Sequence, residues 1–95
     1  MVYIPYYYIK DMPTISVFYG ITIMMYLRDK EHNPPHIHAF YGNEAASFLI
    51  DSGDIYEGNF PKRGKKLVKE FINKNKEELL KMWNTGEYIK LEGLK

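Results

Sequence analysis

The residues best suited to chemistry in this sequence are three histidines within seven consecutive positions. His32, His36 and His38 are the only histidines of the chain, and Pro34 and Pro35 stiffen the backbone between them. Histidines two residues apart on a β-strand share one face, with Cα atoms roughly 6–7 Å apart, so both imidazoles can reach one divalent metal. Three histidines with one open coordination position are the ligand set of a catalytic zinc.

The histidines admit three interpretations, and the sequence leaves all of them open. The first is a divalent-metal site for zinc, nickel or manganese, in which Asp29 or Glu31 can replace the first histidine as a ligand. The second is metal-free acid–base chemistry or phosphate contact. Its candidate catalytic residues are His36, His38 and Tyr56, because imidazole titrates near physiological pH. The third is structural, with the imidazoles hydrogen-bonded to neighbouring backbone.

A second candidate site is basic. Lys62, Arg63, Lys65 and Lys66, continued by Lys69, hold five of the 13 basic residues, and the rest of the chain is net negative. These residues open a predicted helix, where positive side chains oppose the helix dipole. Such a cost is sometimes retained because an anion binds there, so the first four are candidate contacts for the phosphates of RNA or DNA. The alternative is a solvated helix face.

Length and composition restrict the class of protein. A chain of 95 residues forms one domain with a small core, and 45% hydrophobic residues are typical of a globular protein. The absence of cysteine excludes disulfides and thiolate zinc sites, which favours the cytoplasm. The longest apolar stretch, Ile15–Leu27, is too short to span a bilayer, so no membrane association is expected.

Five strands are predicted to position the histidines. From alternation and β-branched content, they are Thr14–Phe18, Ile21–Arg28, His36–Tyr41, Glu44–Asp51 and Asp54–Asn59. Asp29–Pro35 is predicted to be a stiff loop. Two-residue turns at Gly42-Asn43 and Ser52-Gly53 make the last three strands antiparallel.

The two turns fix a register for these strands. His38 lies opposite Ser47. His36 lies opposite Leu49, which in turn lies opposite Tyr56. One face of the sheet then collects His36, His38, Phe40, Ala45, Ser47, Leu49 and Tyr56. The other, more apolar face collects Ile37, Ala39, Tyr41, Ala46, Phe48, Ile50 and Ile55. We expect helices to cover this apolar face and the histidine face to stay partly open.

The C-terminal third is predicted to be helical. Pro61 suits the first turn of one helix, and Asn75 with Glu78 resembles a capping box at the start of a second. Gly86 ends the second helix, and Tyr88–Leu94 forms a short strand or a packed tail.

These elements define the expected architecture. The fold is α+β, with a small antiparallel sheet of four to five strands and two C-terminal helices packed on one face. Residues 1–11 are interpreted as an N-terminal extension, and residues 12–95 as the single domain.

Four segments of the chain form a recognisable pattern. They are Met12–Ile21, His32–Ala39, Pro61–Arg63 and Lys76–Trp83. The second contains the most specific motif, His-x-Pro-Pro-His-x-His-Ala. With these segments the chain resembles the prokaryotic domain-of-unknown-function family numbered 4160. Members of that family typically begin at the equivalent of Met12, which supports the interpretation of the preceding residues as an extension.

The resemblance implies a small cytoplasmic protein, often encoded beside a member of the unknown-function family numbered 2442, in what looks like a toxin–antitoxin pair. The first hypothesis is therefore one member of such a pair. It binds a small protein encoded by a neighbouring gene and, as a further candidate partner, RNA or DNA; a homo-oligomer is also compatible. The second hypothesis is a metal-dependent hydrolase or nuclease that uses His32, His36 and His38, with Lys62 and Arg63 holding phosphate. Whether the protein is an enzyme stays open.

Overall fold

Five strands followed by two helices make up the part of the chain that the computed structural model describes, residues 12–27 and 34–95. They are β1 (Thr14–Phe18), β2 (Ile21–Met24), β3 (His36–Tyr41), β4 (Glu44–Leu49), β5 (Ile55–Asn59), α1 (Lys62–Lys74) and α2 (Lys76–Thr85). The strands are antiparallel and lie in chain order in one sheet. The predicted α+β fold is confirmed. Residues 1–11 lie outside the described ranges, so the predicted extension stays a prediction.

The turn between β3 and β4 determines how the histidines face their neighbours. Two residues join the strands, and the first of them, Gly42, has the positive φ of 57° that such tight turns require. The resulting register places His38 opposite Ser47 and His36 opposite Leu49. Both pairings confirm the predicted register.

The pairing of β4 with β5 differs from the prediction. Leu49 does not lie opposite Tyr56, because the amide of Leu49 donates to the carbonyl of Asp54 at 2.9 Å and closes a longer turn than the two predicted residues. The register then shifts at a bulge, where Ser47 pairs with Glu57 and Tyr56 is the extra residue. The Tyr56 ring still lies on the histidine side of the sheet, so its predicted face is correct although its predicted partner is wrong.

Three predicted strands are longer than the observed ones. β5 begins at Ile55 and not at Asp54, because the Asp54 carbonyl accepts from the Leu49 amide and closes the turn. β2 ends at Met24, where its pairing with both neighbouring strands ends, and not at Arg28, which lies outside the described residues. β4 ends at Leu49 and not at Asp51, since the chain turns at Ile50, whose side chain is fully buried in the core.

One face of the sheet is buried beneath the helices and is called the core face. Its residues are Phe18, Ile21, Ile23, Ile37, Ala39, Ala46 and Phe48, none of them more than 6% exposed. They share a cluster with the apolar side chains of both helices, and Phe18 stacks on Phe71 of α1 at 4.9 Å. Burial of each large side chain contributes about 1.5–3 kcal/mol. Tyr41, predicted for this face, is instead 46% exposed, because it ends β3 and its ring lies beside Gly20.

The other face of the sheet is only partly covered and is called the open face. It is defined by Val17, Thr22, Met24, His38, Phe40, Ala45, Ser47 and Glu57. Of these eight residues only Ser47 is buried, and Val17 is 61% exposed. His36, which the alternation of β3 places on the same face, is only 9% exposed. The expectation that the histidine face stays partly open is confirmed.

Asn75, the single residue between the two helices, does not have the role that was predicted for it. Asn75 precedes α2, as predicted, but makes no side-chain cap for that helix. Its Nδ2 instead donates to the carbonyl of Phe71 at 3.0 Å, and its backbone N–H donates to the last carbonyls of α1. Asn75 therefore satisfies the end of the first helix, and the capping box predicted with Glu78 does not form.

The ends of the helical region follow the prediction more closely. α1 begins directly after Pro61, and Gly86 ends α2 with a left-handed φ of 74° and an N–H bond to Met82 at 2.9 Å. The following segment is a packed tail, whose Leu91 amide donates to the Ile15 carbonyl at 2.8 Å. Neither described helix is long and apolar enough to cross a membrane.

Candidate functional site

Four side-chain rings meet where β3 begins, and together they form the ring cluster: His36, His38, Tyr56 and Trp83. The ring centroid of His36 lies 5.1 Å from that of His38, 5.8 Å from that of Tyr56 and 5.2 Å from that of Trp83. His36 is therefore the centre of the cluster, and it is only 9% exposed. The sheet brings three predicted site residues together, and α2 adds Trp83.

The proline pair determines which nitrogen of His36 carries hydrogen. Nδ1 of His36 lies 2.8 Å from the carbonyl oxygen of Pro34, and because a carbonyl only accepts, Nδ1 is the donor. In the neutral ring the lone pair is then on Nε2, which is the arrangement that backbone hydrogen bonds impose on metal-binding histidines. The loop is fixed to β4 by the Ile50 amide, which donates to the Pro35 carbonyl at 3.0 Å.

His38 is neutral at physiological pH. Burial of its ring, and then the charge that His36 can carry beside it, lower the pKa of His38 from 6.5 to about 4. A base with so low a pKa is a poor catalyst near pH 7, since proton transfer is most effective when the pKa lies near the working pH. A neutral imidazole, in contrast, loses no proton when a metal binds. The lowered pKa disfavours acid–base catalysis by His38 and is compatible with metal binding.

A row across β3, β4 and β5 contains the residue types of a hydrolase triad. His38 lies opposite Ser47, which lies opposite Glu57, and Oγ of Ser47 is 3.3 Å from Nδ1 of His38. In a catalytic triad the histidine lies between the serine and the carboxylate, whereas here the serine is in the middle. Glu57 therefore does not orient His38, and the row is not a nucleophilic triad.

The described residues contain two of the three predicted metal ligands. His36 and His38 are adjacent, whereas His32 and its predicted substitutes Asp29 and Glu31 lie outside the described residues. Among the described residues, no group of three His, Cys, Asp or Glu side chains is arranged to hold a metal ion. A three-histidine metal site therefore stays a prediction.

The predicted phosphate-binding residues lie on the first two turns of α1. They are Lys62, Arg63, Lys65 and Lys66, and all are exposed. No carboxylate of the described residues forms an ion pair with any of them, whereas Lys69 pairs with Asp54 at 3.0 Å. These residues do not join the ring cluster. Arg63 lines a separate cleft with Tyr19 and Tyr41, at the opposite end of β3 from His36.

Two features of these sites were not found from the sequence. Helical spacing with Leu79 and Met82 assigns Trp83 to the core, where it does lie, but gives no sign that its ring reaches His36. The cleft beside Tyr19 does have a feature in the sequence from which it could have been found. A two-residue turn at Tyr19-Gly20 between two strands requires left-handed geometry, which is unusual for tyrosine.

Comparison with known proteins identifies the family. Residues 20–84 match the family described as Domain of unknown function (DUF4160). The chain belongs to the DUF4160 family. No match was found among curated proteins or among solved structures. The DUF4160 match includes both strand histidines, the basic helix start and Trp83, and it begins after β1. Because the family has no described activity, the pairing with family 2442 and every partner stay predictions.

Proposed function

We propose that this DUF4160 protein is a binding protein whose open face contacts a small protein encoded by a neighbouring gene. The observation that carries the proposal is the unequal burial of the two sheet faces. Core-face residues are at most 6% exposed, whereas Val17 on the open face is 61% exposed. A domain that covers one face of its sheet and leaves apolar side chains exposed on the other has a surface suited to a partner.

The composition of the open face supports a protein as the partner. Met24 and Phe40 are partly exposed near its centre, and Tyr56 at one end is 42% exposed. Glu57 is the only charged residue among the eight that define the face. Interface cores are poor in charge and rich in aromatic residues and methionine, so this surface resembles the centre of a protein interface more than a solvated surface.

In this proposal the pair is toxin–antitoxin-like and cytoplasmic, as the family resemblance implies. The ring cluster then has a positioning role, because His36 is packed against three rings and hydrogen-bonded to Pro34. Contact surfaces built on strands are held more precisely than those on loops. The cluster would keep one end of the open face rigid for the partner.

Co-expression with the product of the adjacent gene tests the proposal. The partner carries the affinity tag, and complex formation is measured by pull-down and by size-exclusion chromatography with light scattering. Val17→Lys places a charge on the open face, and Asn73→Lys places the same charge on an exposed position of α1. Burial of an unpaired charge is costly, so Val17→Lys should weaken the complex by at least about tenfold. Asn73→Lys should leave it unchanged.

Thermal melts of both variants control for folding, since exposed substitutions usually change stability little. Absence of a complex, or a complex equally tight with Val17→Lys, would contradict the proposal. A dimer of this chain alone that Val17→Lys dissociates would assign the open face to a second copy instead.

A second candidate function is metal-dependent hydrolysis, as a hydrolase or nuclease, and the hydrogen bond between His36 and Pro34 favours it. That bond leaves the Nε2 lone pair of His36 available beside the neutral His38, with His32 as the predicted third ligand. A metal held with an open position would activate water. Tag-free protein should then take up zinc, nickel or manganese, measured by calorimetry and elemental analysis. His38→Ala should abolish uptake and Glu57→Gln should not; equal uptake by both variants would remove this candidate.

A further inference from the structure

A small cleft walled by two tyrosines and one arginine lies at the end of β3 opposite to the ring cluster. It is enclosed by the β1–β2 turn, the last residue of β3 and the start of α1, and its volume is about 120 Å³. Tyr19, Tyr41 and Arg63 line its walls, and Ile21 and Leu67 contribute apolar surface. The cleft therefore combines aromatic rings, an apolar floor and a positive charge.

Tyr19 occupies a backbone position that disfavours tyrosine. Its φ is 50°, and the φ of Gly20 is 78°. Positive φ at both central residues is typical of a type I′ hairpin turn, for which Asn-Gly is preferred. A bulky residue with positive φ is an outlier. Tyr19 is 54% exposed at the cleft, although asparagine would suit the backbone of this turn better.

Tyr41 is the second exposed ring of the cleft. It is 46% exposed, and its ring lies so close to the turn that a Cβ on Gly20 would be 3.2 Å from its Cε1. A side chain at position 20 would therefore press on the edge of the Tyr41 ring, and glycine avoids that contact. The two half-exposed rings flank a cleft whose apolar surface includes the buried Ile21.

Positive charge at the cleft comes from Arg63, which lines it. Lys66 lines a different cleft with Lys69 and lies four residues from Lys62 on α1. Like charges at this spacing destabilise a helix. The first turn of α1 contains no acidic residue, and no described carboxylate pairs with these three side chains. A bound anion would supply the missing counter-charge.

We propose that the cleft binds one nucleotide of single-stranded nucleic acid, with the base against Tyr19 and Tyr41 and the adjacent phosphate against Arg63. A cleft of about 120 Å³ is smaller than the sites that enclose drug-sized ligands and suits one flat ring. Bases stack on aromatic side chains in single strands, whereas in duplexes they stack on one another. The proposal goes beyond partner binding and uses none of the open-face residues, so the two can fail separately.

Fluorescence anisotropy with labelled oligouridine and oligothymidine of about twelve nucleotides, within the usual range of single-strand sites, tests the proposal on the full chain. Saturable binding is expected, and it should be weaker for a duplex of the same length. Competition with uridine monophosphate shows whether the site binds a free nucleotide or a nucleotide that is part of a strand. Competition at comparable affinity supports a free nucleotide as the ligand of the same site, and binding of strands alone supports a polymer.

The decisive variant is Tyr19→Asn, which removes the ring and suits the left-handed backbone. It should weaken strand binding by at least about fivefold, the lower end of what one base–aromatic stack contributes, while the melting temperature stays equal or rises. Tyr88→Asn is the control, because Tyr88 is 46% exposed in the C-terminal tail and does not line the cleft. Its hydroxyl donates to the Thr14 carbonyl at 2.7 Å, so a thermal melt must accompany this variant. Tyr88→Asn should leave binding unchanged.

Arg63→Gln tests the phosphate contact through salt dependence. Loss of one phosphate contact should reduce the slope of log K against log salt by about 0.7 for a single strand, and Lys81→Gln on α2 should not change the slope. Absence of strand binding, binding that Tyr19→Asn leaves intact, or equal binding of duplex and single strand would overturn the proposal. Preferential binding of a phosphopeptide at the same residues would also overturn it.

Discussion

The two ends of β3 carry two ring-rich sites that are held in opposite ways. At the first residue of the strand, His36 is 9% exposed, packed in the ring cluster and hydrogen-bonded to the Pro34 carbonyl. At the last residue, Tyr41 is 46% exposed in a cleft lined by Tyr19 and Arg63. The two ends are roughly 17 Å apart at the usual rise of a strand. One site is built like part of a core, and the other like an open binding surface.

The difference between the two ends shows that the type of a residue does not by itself determine its role. Histidines close in sequence suggest chemistry, yet the structure surrounds His36 with rings and satisfies its Nδ1 with backbone. The tyrosines, which the sequence distributes without a clear motif, include two exposed beside Arg63, with which no carboxylate of the described residues pairs. Burial and hydrogen bonding, which the residue types alone do not reveal, therefore decide which end of the strand is available to a ligand.

The largest expected effect is on stability, and it compares the two ends of the strand directly. His36→Ala removes a ring packed against three others and leaves the Pro34 carbonyl without its donor. We expect a loss of about 2–4 kcal/mol in the free energy of unfolding. Tyr41→Ala truncates a half-exposed ring and should cost less than about 1 kcal/mol. Urea unfolding of both variants measures the difference, and equal losses would show that the two ends are not held differently.

The second effect is a pH dependence of stability that arises from His38. The pKa of His38 is about 4 in the folded protein and 6.5 in its ordinary state, so the unfolded chain binds the proton first as pH falls. This group therefore costs no stability above about pH 6.5, and it destabilises the fold progressively between pH 6.5 and about 4. Allowing for the partial exposure of the ring, the loss is on the order of 2–3 kcal/mol.

His38→Gln is the control for this pH dependence, because glutamine does not titrate. Urea unfolding at several pH values should show a smaller slope for the variant than for the parent between pH 6.5 and 4. The carboxylates titrate in both proteins, so their contribution cancels when the pH dependence of the variant is subtracted from that of the parent. Parallel curves would mean that His38 takes up its proton as readily in the folded state as in the unfolded chain.

Local rules predicted the parts of this fold that depend on neighbouring residues. The Gly42 turn fixed the pairing of His38 with Ser47, and alternation identified the core face. Prediction failed where tertiary packing overrode the local pattern. Burial of Ile50 lengthened the next turn and shifted Tyr56 to a bulge, and Asn75 bonded backward to α1 because only one residue separates the helices. The contact of Trp83 with His36 joins residues distant in sequence, so no local pattern could show it.

The smallest expected effect concerns the backbone at Tyr19, at the cleft end of β3. Tyr19→Asn and Tyr19→Ala both remove the ring, but only asparagine is readily accommodated at a φ of 50°. Tyr19→Asn should therefore be more stable than Tyr19→Ala by about 0.5–1 kcal/mol in urea unfolding, although both lose the same aromatic surface. If the two variants are equally stable, the turn imposes no preference on this residue. The Tyr19 ring would then be held at no conformational cost, and strand binding alone would have to support the cleft as a nucleotide site.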